Sequence, residues 1–355
     1  MFKPKFTVGG EFTFTPGFLF SKDHHQFSDY AGELEQYHRY YTFGAYYSMV
    51  AIIAHLDIKV GEYILLPSYL CPSMLEPFMK AGVKYDFYKM QEGLFPDLED
   101  VERKSGSGLK AILFVDYFGF PRKDYLMQMV KNLQQRGVKI LQDTVQSWVN
   151  NESSLFGDYC FNSLRKYTPF EASVLLSTDR MIFSTDRRIT RSFLVHKRWA
   201  QLLRYYHLRY GVLAPESFLK HIDKANNAYH KPGIADMLSI NRWCLDRVDF
   251  HSLGQNRRDV YNALVSKLTL RKVLKDDLGD VVPLGLSIYL EDRDKKKNHL
   301  HQRNIHCPVH WRLSDEIDKR EHGYSWDLEQ HIMTLPVNVE KQNVQQYMDH
   351  LGAVL

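Results

Sequence analysis

Residues 109–143 read LKAILFVDYFGFPRKDYLMQMVKNLQQRGVKILQD, and the two periods in this stretch decide the class of fold. LKAILFVDYFG is an apolar run of strand length. RKDYLMQMVKNLQQRG carries its apolar residues at helical spacing and stops at a glycine, and VKILQD is a second short apolar run. Strand, helix and strand in this order make a βαβ unit, whose two strands lie parallel in one sheet.

The same alternation extends upstream. AYYSMVAIIAHL (45–56) has helical spacing, EYILLP (62–67) is a strand-like run ending in proline, PSMLEPFMKAG (72–82) is a helix stopped by glycine, and VKYDFYKM (83–90) is another strand-like run. The expected architecture is therefore α/β, a mostly parallel sheet flanked by helices, with ligands at the carboxyl ends of the strands. After residue 180 the patterns become long, charged and helical: 190–211, 233–248 and 256–268. Beyond about 270, short strand-like pieces (LGLSIYL, NIHCPVHW, HIMTLPV) alternate with polar helical stretches. This reads as a large α/β domain over 1–250 and a small α+β domain over 251–355.

Composition agrees with two such units. The 355 residues are 44% hydrophobic and 25% charged, with a formal net charge of +4, which is ordinary globular material able to bury a core. The densest basic cluster, DRDKKKNHLHQR at 292–303, interleaves acids and histidines, as a solvated face does, so no nucleic-acid or membrane partner is expected. The four cysteines lack C-x-x-C spacing, which points to neither a disulfide framework nor a metal site. With no apolar leader and no run near the ~18 apolar residues of a membrane span, the expected location is cytoplasmic.

Three stretches at predicted strand ends carry chemistry. TFGAYY (42–47) places Gly44 immediately before a helix, whose free N–H groups could hold an anion; the plainer alternative is a turn. Asp143 ends a buried strand, where a carboxylate needs a cation or hydrogen bonds; it could equally cap a following helix. In FNSLRK (161–166), Lys166 lies among apolar groups three residues after Ser163. Desolvation there favours the neutral amine that can form a Schiff base, and the bland alternative is an ion pair with Asp158 or Glu171. Taken together they match the needs of pyridoxal phosphate: a lysine for the imine, a carboxylate for the pyridine nitrogen, and a phosphate cradle at a helix start formed by Gly44 with Ser163.

From FSDYAGELEQY (27–37) onward the chain resembles the DegT/StrS family of pyridoxal-phosphate-dependent, fold type I sugar aminotransferases. The family's phosphate-binding Ser-Gly-Thr turn is similar to Phe43-Gly44-Ala45. Its other motifs fall on GEYILLPSYLC (61–71), VDYFG (115–119), QDTVQS (142–147), FNSLRK and PVHW (308–311). The resemblance implies that Lys166 carries the cofactor and shuttles the proton, that Asp143 pairs with the pyridinium nitrogen, and that Gln146 faces the ring hydroxyl. It also implies that Gly44, Ala45 and Ser163 hold the phosphate. The implied activity moves an amino group from an amino acid such as glutamate to a nucleotide-linked keto sugar, in amino-sugar and surface-polysaccharide biosynthesis. A homodimer with a shared active site is implied too, with Asn226, Asn227 and His230 as candidates for reaching the partner.

Three positions depart from the family pattern. Ala45 replaces a threonine, Cys71 stands where an aromatic ring usually stacks on the pyridine, and TPFEAS (168–173) replaces a glycine-rich stretch. Tyr69, two residues from Cys71, could face the same side of an extended segment and supply the ring. The alternatives are a non-catalytic relative that keeps the fold, and a deoxygenating branch disfavoured because that branch has histidine in place of Lys166. A nucleotide-binding transferase without pyridoxal phosphate is more distant still, since no G-x-G-x-x-G follows a predicted strand.

Overall fold

The computed structural model describes residues 6–14, 34–147, 154–274 and 277–355. The start of the family resemblance, 27–33, and Trp148 lie outside the described residues.

The strand Leu109–Val115 is buried at every position but Lys110, and the run LKAILFV shows why: leucine, isoleucine, valine and phenylalanine fill both faces of a central strand. It lies within a seven-stranded sheet. From one edge the order is His38–Thr42, Ser173–Ser177, Tyr159–Phe161, Lys139–Asp143, Leu109–Val115, Tyr63–Pro67 and Lys84–Tyr88. Ser173–Ser177 runs antiparallel to both neighbours, and the other pairings are parallel. The helix Lys123–Gln135 packs on Lys139–Asp143, and the helix Ala45–Leu56 on the strands Tyr159–Phe161 and Ser173–Ser177. The fold is thus the expected α/β one, a mostly parallel sheet flanked by helices.

Register sets the functional end of the sheet. Val115 pairs with Asp143 and Asp143 with Phe161, so the last residues of three adjacent parallel strands are level, and the loops that leave them open onto one place.

The helical expectation for 233–248 holds only for Ser239–Leu245. Residues 235–237 instead run along the edge strand His38–Thr42: Phe43 N donates to the Ala235 carbonyl at 2.9 Å, and Thr42 bridges Asp236. An edge strand has unpaired backbone groups, and here they recruit a neighbour into extended form.

The later part of the chain contributes an antiparallel pair, Gly285–Tyr289 with Ile332–Pro336. The helix Phe250–Lys267, capped by Asp249, is tied to it through Arg257, which donates to the carbonyls of Pro283 and Leu284. The first described strand, Val8–Gly9, pairs in parallel with Ile305–His306. Gly9 has φ +73°, and a Cβ there would stand 2.4 Å from the His306 carbonyl oxygen, so only glycine allows this approach.

Candidate active site

The level strand ends open into a narrow inner cavity lined by Ala45, Cys71, Val115, Asp143, Gln146, Phe161, Ser163, Arg165, Lys166, Tyr229, His230 and Trp311. An outer cavity of about 540 Å³ adjoins it, sharing Arg165 and Lys166 and walled by Gly9 to Phe12, Lys197, Gln201, Arg257, His306 and His310. That volume is in the range of small-molecule sites. Lys166 therefore stands where the two cavities meet.

Lys166 ends the one-turn 3-10 helix Leu164–Lys166. Among the described residues its ammonium has no hydrogen-bond acceptor and no ion pair. The two acids that a bland reading offered are engaged elsewhere: Glu171 with Arg198 at 3.3 Å, Asp158 with the Ile140 N–H at 2.7 Å. Burial, with the adjacent Arg165 adding to it, brings the Lys166 amine down to about 8. A substantial fraction is then neutral, and so nucleophilic, near physiological pH.

Asp143 is 3% exposed, and burial pushes its carboxyl up to about 7 against the pull of the Val145 N–H and Lys166. Oδ1 accepts that N–H at 2.7 Å, but the TVQS segment after it forms a turn and no helix. The capping alternative therefore reduces to this single turn contact. One strand over, Asp116 is also buried and raised to about 7, with Oδ2 accepting from Gln142.

Among the described residues, two polar atoms around the inner cavity are buried without a partner, Ser163 Oγ and Gln146 Nε2. Gln146 is fixed through Oε1, which accepts the Phe118 N–H at 2.7 Å. An orphaned buried polar atom costs ~1–3 kcal/mol, a cost that a ligand presenting oxygens here would offset. The helix Ala45–Leu56 begins at Gly44 with no side-chain cap, which leaves its first N–H groups available to an anion. A free amine, a buried carboxyl, two orphaned polar atoms and an uncapped helix start fit the ring nitrogen, hydroxyl, aldehyde and phosphate of pyridoxal phosphate.

Two expected placements are corrected. Tyr69 does not face the cavity. It is fully buried, its hydroxyl donates to the His310 carbonyl, and its carbonyl accepts from Tyr117. The chain bends at Ser68–Tyr69, so the two-residue alternation that would bring Tyr69 and Cys71 to one side is lost. The aromatic wall is supplied by Trp311, whose ring lies 5.6 Å from that of Tyr69. His230 turns into its own chain's cavity, bonded to Glu76 and stacked on Tyr46 at 4.3 Å, whereas Asn226 and Asn227 are exposed at the end of the helix Pro215–Asn227. Arg165, Tyr229 and Trp311 were not singled out from the sequence. Arg165 had a signal, being next to Lys166; the other two are distant in sequence and meet the site only through folding.

No family model and no curated protein matches the sequence. Solved structures do. PseC of Helicobacter pylori, an aminotransferase of pseudoaminic acid biosynthesis, superposes with a TM-score of 0.67 at 15% identity, covering 99% of each chain. DesV of S. venezuelae, solved with a ketimine intermediate, gives 0.65 at 15% identity over 97% of this chain and 90% of that one. NtdA of Bacillus subtilis, with bound cofactor PMP, gives 0.64 at 14% over 97% and 78%. These likenesses establish the fold that the chain shares with them.

Proposed function

We propose that the chain is a pyridoxal-phosphate-dependent aminotransferase that acts on a sugar. The observation that carries this reading is Lys166, an amine with no ion pair among the described residues, at the junction of two cavities, with the buried Asp143 and the orphaned Ser163 Oγ and Gln146 Nε2 around the inner one. The sugar aminotransferases among the structural neighbours support it, as does the run of motifs along the chain.

When bound, the cofactor supplies an electron sink for the electrons of a broken C–H bond. Lys166 would hold it covalently, and its Nζ, when released, would carry the proton of that bond. Asp143 would be the carboxylate that keeps the ring nitrogen protonated. Gln146 would orient the group through its amide, and Trp311 would exclude water from the inner cavity. The substrate enters through the outer cavity, where Glu11 pairs with Lys197 and Glu171 with Arg198, and Arg165 and Arg257 remain as the cations suited to the phosphates of a nucleotide-linked keto sugar and to the carboxylates of an amino-acid donor such as glutamate. As part of the same reading, the protein works as a homodimer, and the exposed Asn226 and Asn227 are its candidates for reaching the partner.

The direct test is to add pyridoxal phosphate to the purified protein, reduce with borohydride and map the peptides. The expected result is visible absorption before reduction and a pyridoxyl group on Lys166 after it. A colourless protein with no label would leave the non-catalytic alternative.

The amine also sets a pH dependence. Its ordinary value is 10.5 and the folded value about 8, so the neutral fraction grows about tenfold per pH unit below 8 and levels off above it. The rate at which the cofactor attaches to the free protein should track that curve. A rate still climbing steeply between pH 9 and 10 would show that Lys166 keeps an ordinary amine.

A further inference from the structure

We propose that Arg165 and Tyr229 are the phosphate-positioning residues of this site, standing in for the hydroxyl that Ala45 lacks, so that the inner cavity selects the phosphorylated form of its cofactor. The inference rests on the pyridoxal-phosphate reading above and adds two residues to it.

The Tyr229 hydroxyl stands directly over the Gly44 turn: a Cβ built on Gly44 would lie 2.1 Å from it. Glycine at 44 therefore has a packing reason beyond the turn, because any side chain would displace this hydroxyl. Tyr229 is 5% exposed, and its ring is fixed against Phe193 at 4.9 Å and Phe43 at 6.1 Å. Its own carbonyl accepts from the Tyr47 hydroxyl. A hydroxyl held this firmly at an uncapped helix start is preorganised to donate to an anion there.

Arg165 completes the wall. Its guanidinium lies 5.0 Å from the centre of the Tyr229 ring and lines the inner cavity, with no carboxylate partner among the described residues. Among the described residues the only carboxylate lining that cavity is Asp143, while Arg165 and Lys166 both face it. Arg165 is a permanent cation at this cavity, since a guanidinium does not lose its proton and no carboxylate pairs with it among the described residues, and a phosphate would neutralise it. Ser163, 2% exposed with its Oγ unpartnered among the described residues, lines the same cavity. Position 45 holds a methyl group, so Ser163, Arg165 and Tyr229 are the side chains we assign as donors to a phosphate at this helix start.

The experiment titrates the protein with pyridoxal phosphate and, separately, with pyridoxal, monitoring the visible absorption and the label on Lys166. Arg165→Ala is expected to weaken pyridoxal phosphate ten- to a hundredfold, the scale of a lost charge-assisted hydrogen bond, and to leave pyridoxal within about twofold. Tyr229→Phe should weaken pyridoxal phosphate about five- to tenfold, and adding Ala45→Thr to that variant should recover part of the loss. Arg165→Gln serves as a second variant with the side-chain length kept, and thermal melting checks each fold. Equal weakening of both ligands in Arg165→Ala, or tighter binding of pyridoxal phosphate in Tyr229→Phe, overturns the proposal. If Lys166 is labelled in the wild type while Arg165→Ala binds pyridoxal phosphate unchanged, the proposal fails and the functional reading stands. A wild type that binds neither ligand removes both.

Discussion

Lys166→Ala is expected to abolish the visible absorption given by pyridoxal phosphate and to slow amino transfer by more than ~10⁴-fold, because one substitution removes both the covalent attachment and the proton carrier. Stability should not fall with it. The ammonium makes no hydrogen bond or ion pair among the described residues, and burial already disfavours its charge, so the melting temperature of the free protein should hold or rise slightly. An added primary amine should restore some turnover by carrying the proton. A variant that keeps full activity, or binds the cofactor covalently through another lysine, would refute the assignment.

Asp143→Asn separates chemistry from folding. The amide oxygen can still accept the Val145 N–H, so the turn survives, but a neutral group cannot hold a proton on a pyridine nitrogen. The expected loss in turnover is ~10²–10⁴-fold, with cofactor still attached to Lys166. Stability should move the other way. The carboxyl rises from 3.8 to about 7 on folding, so between those values the native state binds more protons than the unfolded one. Its contribution to stability then falls as pH rises through that window and stays low above it. The asparagine variant is free of this penalty, and its stability relative to the wild type should grow from pH 4 to 7, as denaturant unfolding at a series of pH values would measure. A variant less stable than the wild type at pH 8 would mean that the carboxylate stabilises the fold instead.

Local spacing made the helix over 45–56 and the strand ends at Val115 and Asp143 legible in the sequence, while the roles of Gln146 and of the phosphate turn came only from the family resemblance. The sheet register brings Val115, Asp143 and Phe161 level, and Ser163 and Lys166 follow the last of them. Tyr69 was misplaced because alternation holds only in extended chain and the backbone bends there. The stretch 235–237 has a helical pattern but pairs with an edge strand, a tertiary contact overriding local preference. Tyr229 and Trp311 reach the cavity from far along the chain, and although motif residues flank them, no local period sets where their own side chains land. The covering of the outer cavity by Gly9 to Phe12 is of the same kind.

That covering bears on how the protein is made. Thr7 bonds to the carbonyl of Asn304, 297 positions further on, and Val8–Gly9 pair with Ile305–His306. At synthesis rates of ~5–20 residues per second, the segment waits about 15–60 s in the cell for its partner to emerge from the ribosome. The strand that ends at Asp143 and the helical turn that ends at Lys166 are synthesised well before that. Until that pairing forms, the outer cavity lacks the wall that Gly9 to Phe12 supply, and the groups around Lys166 stay open to solvent.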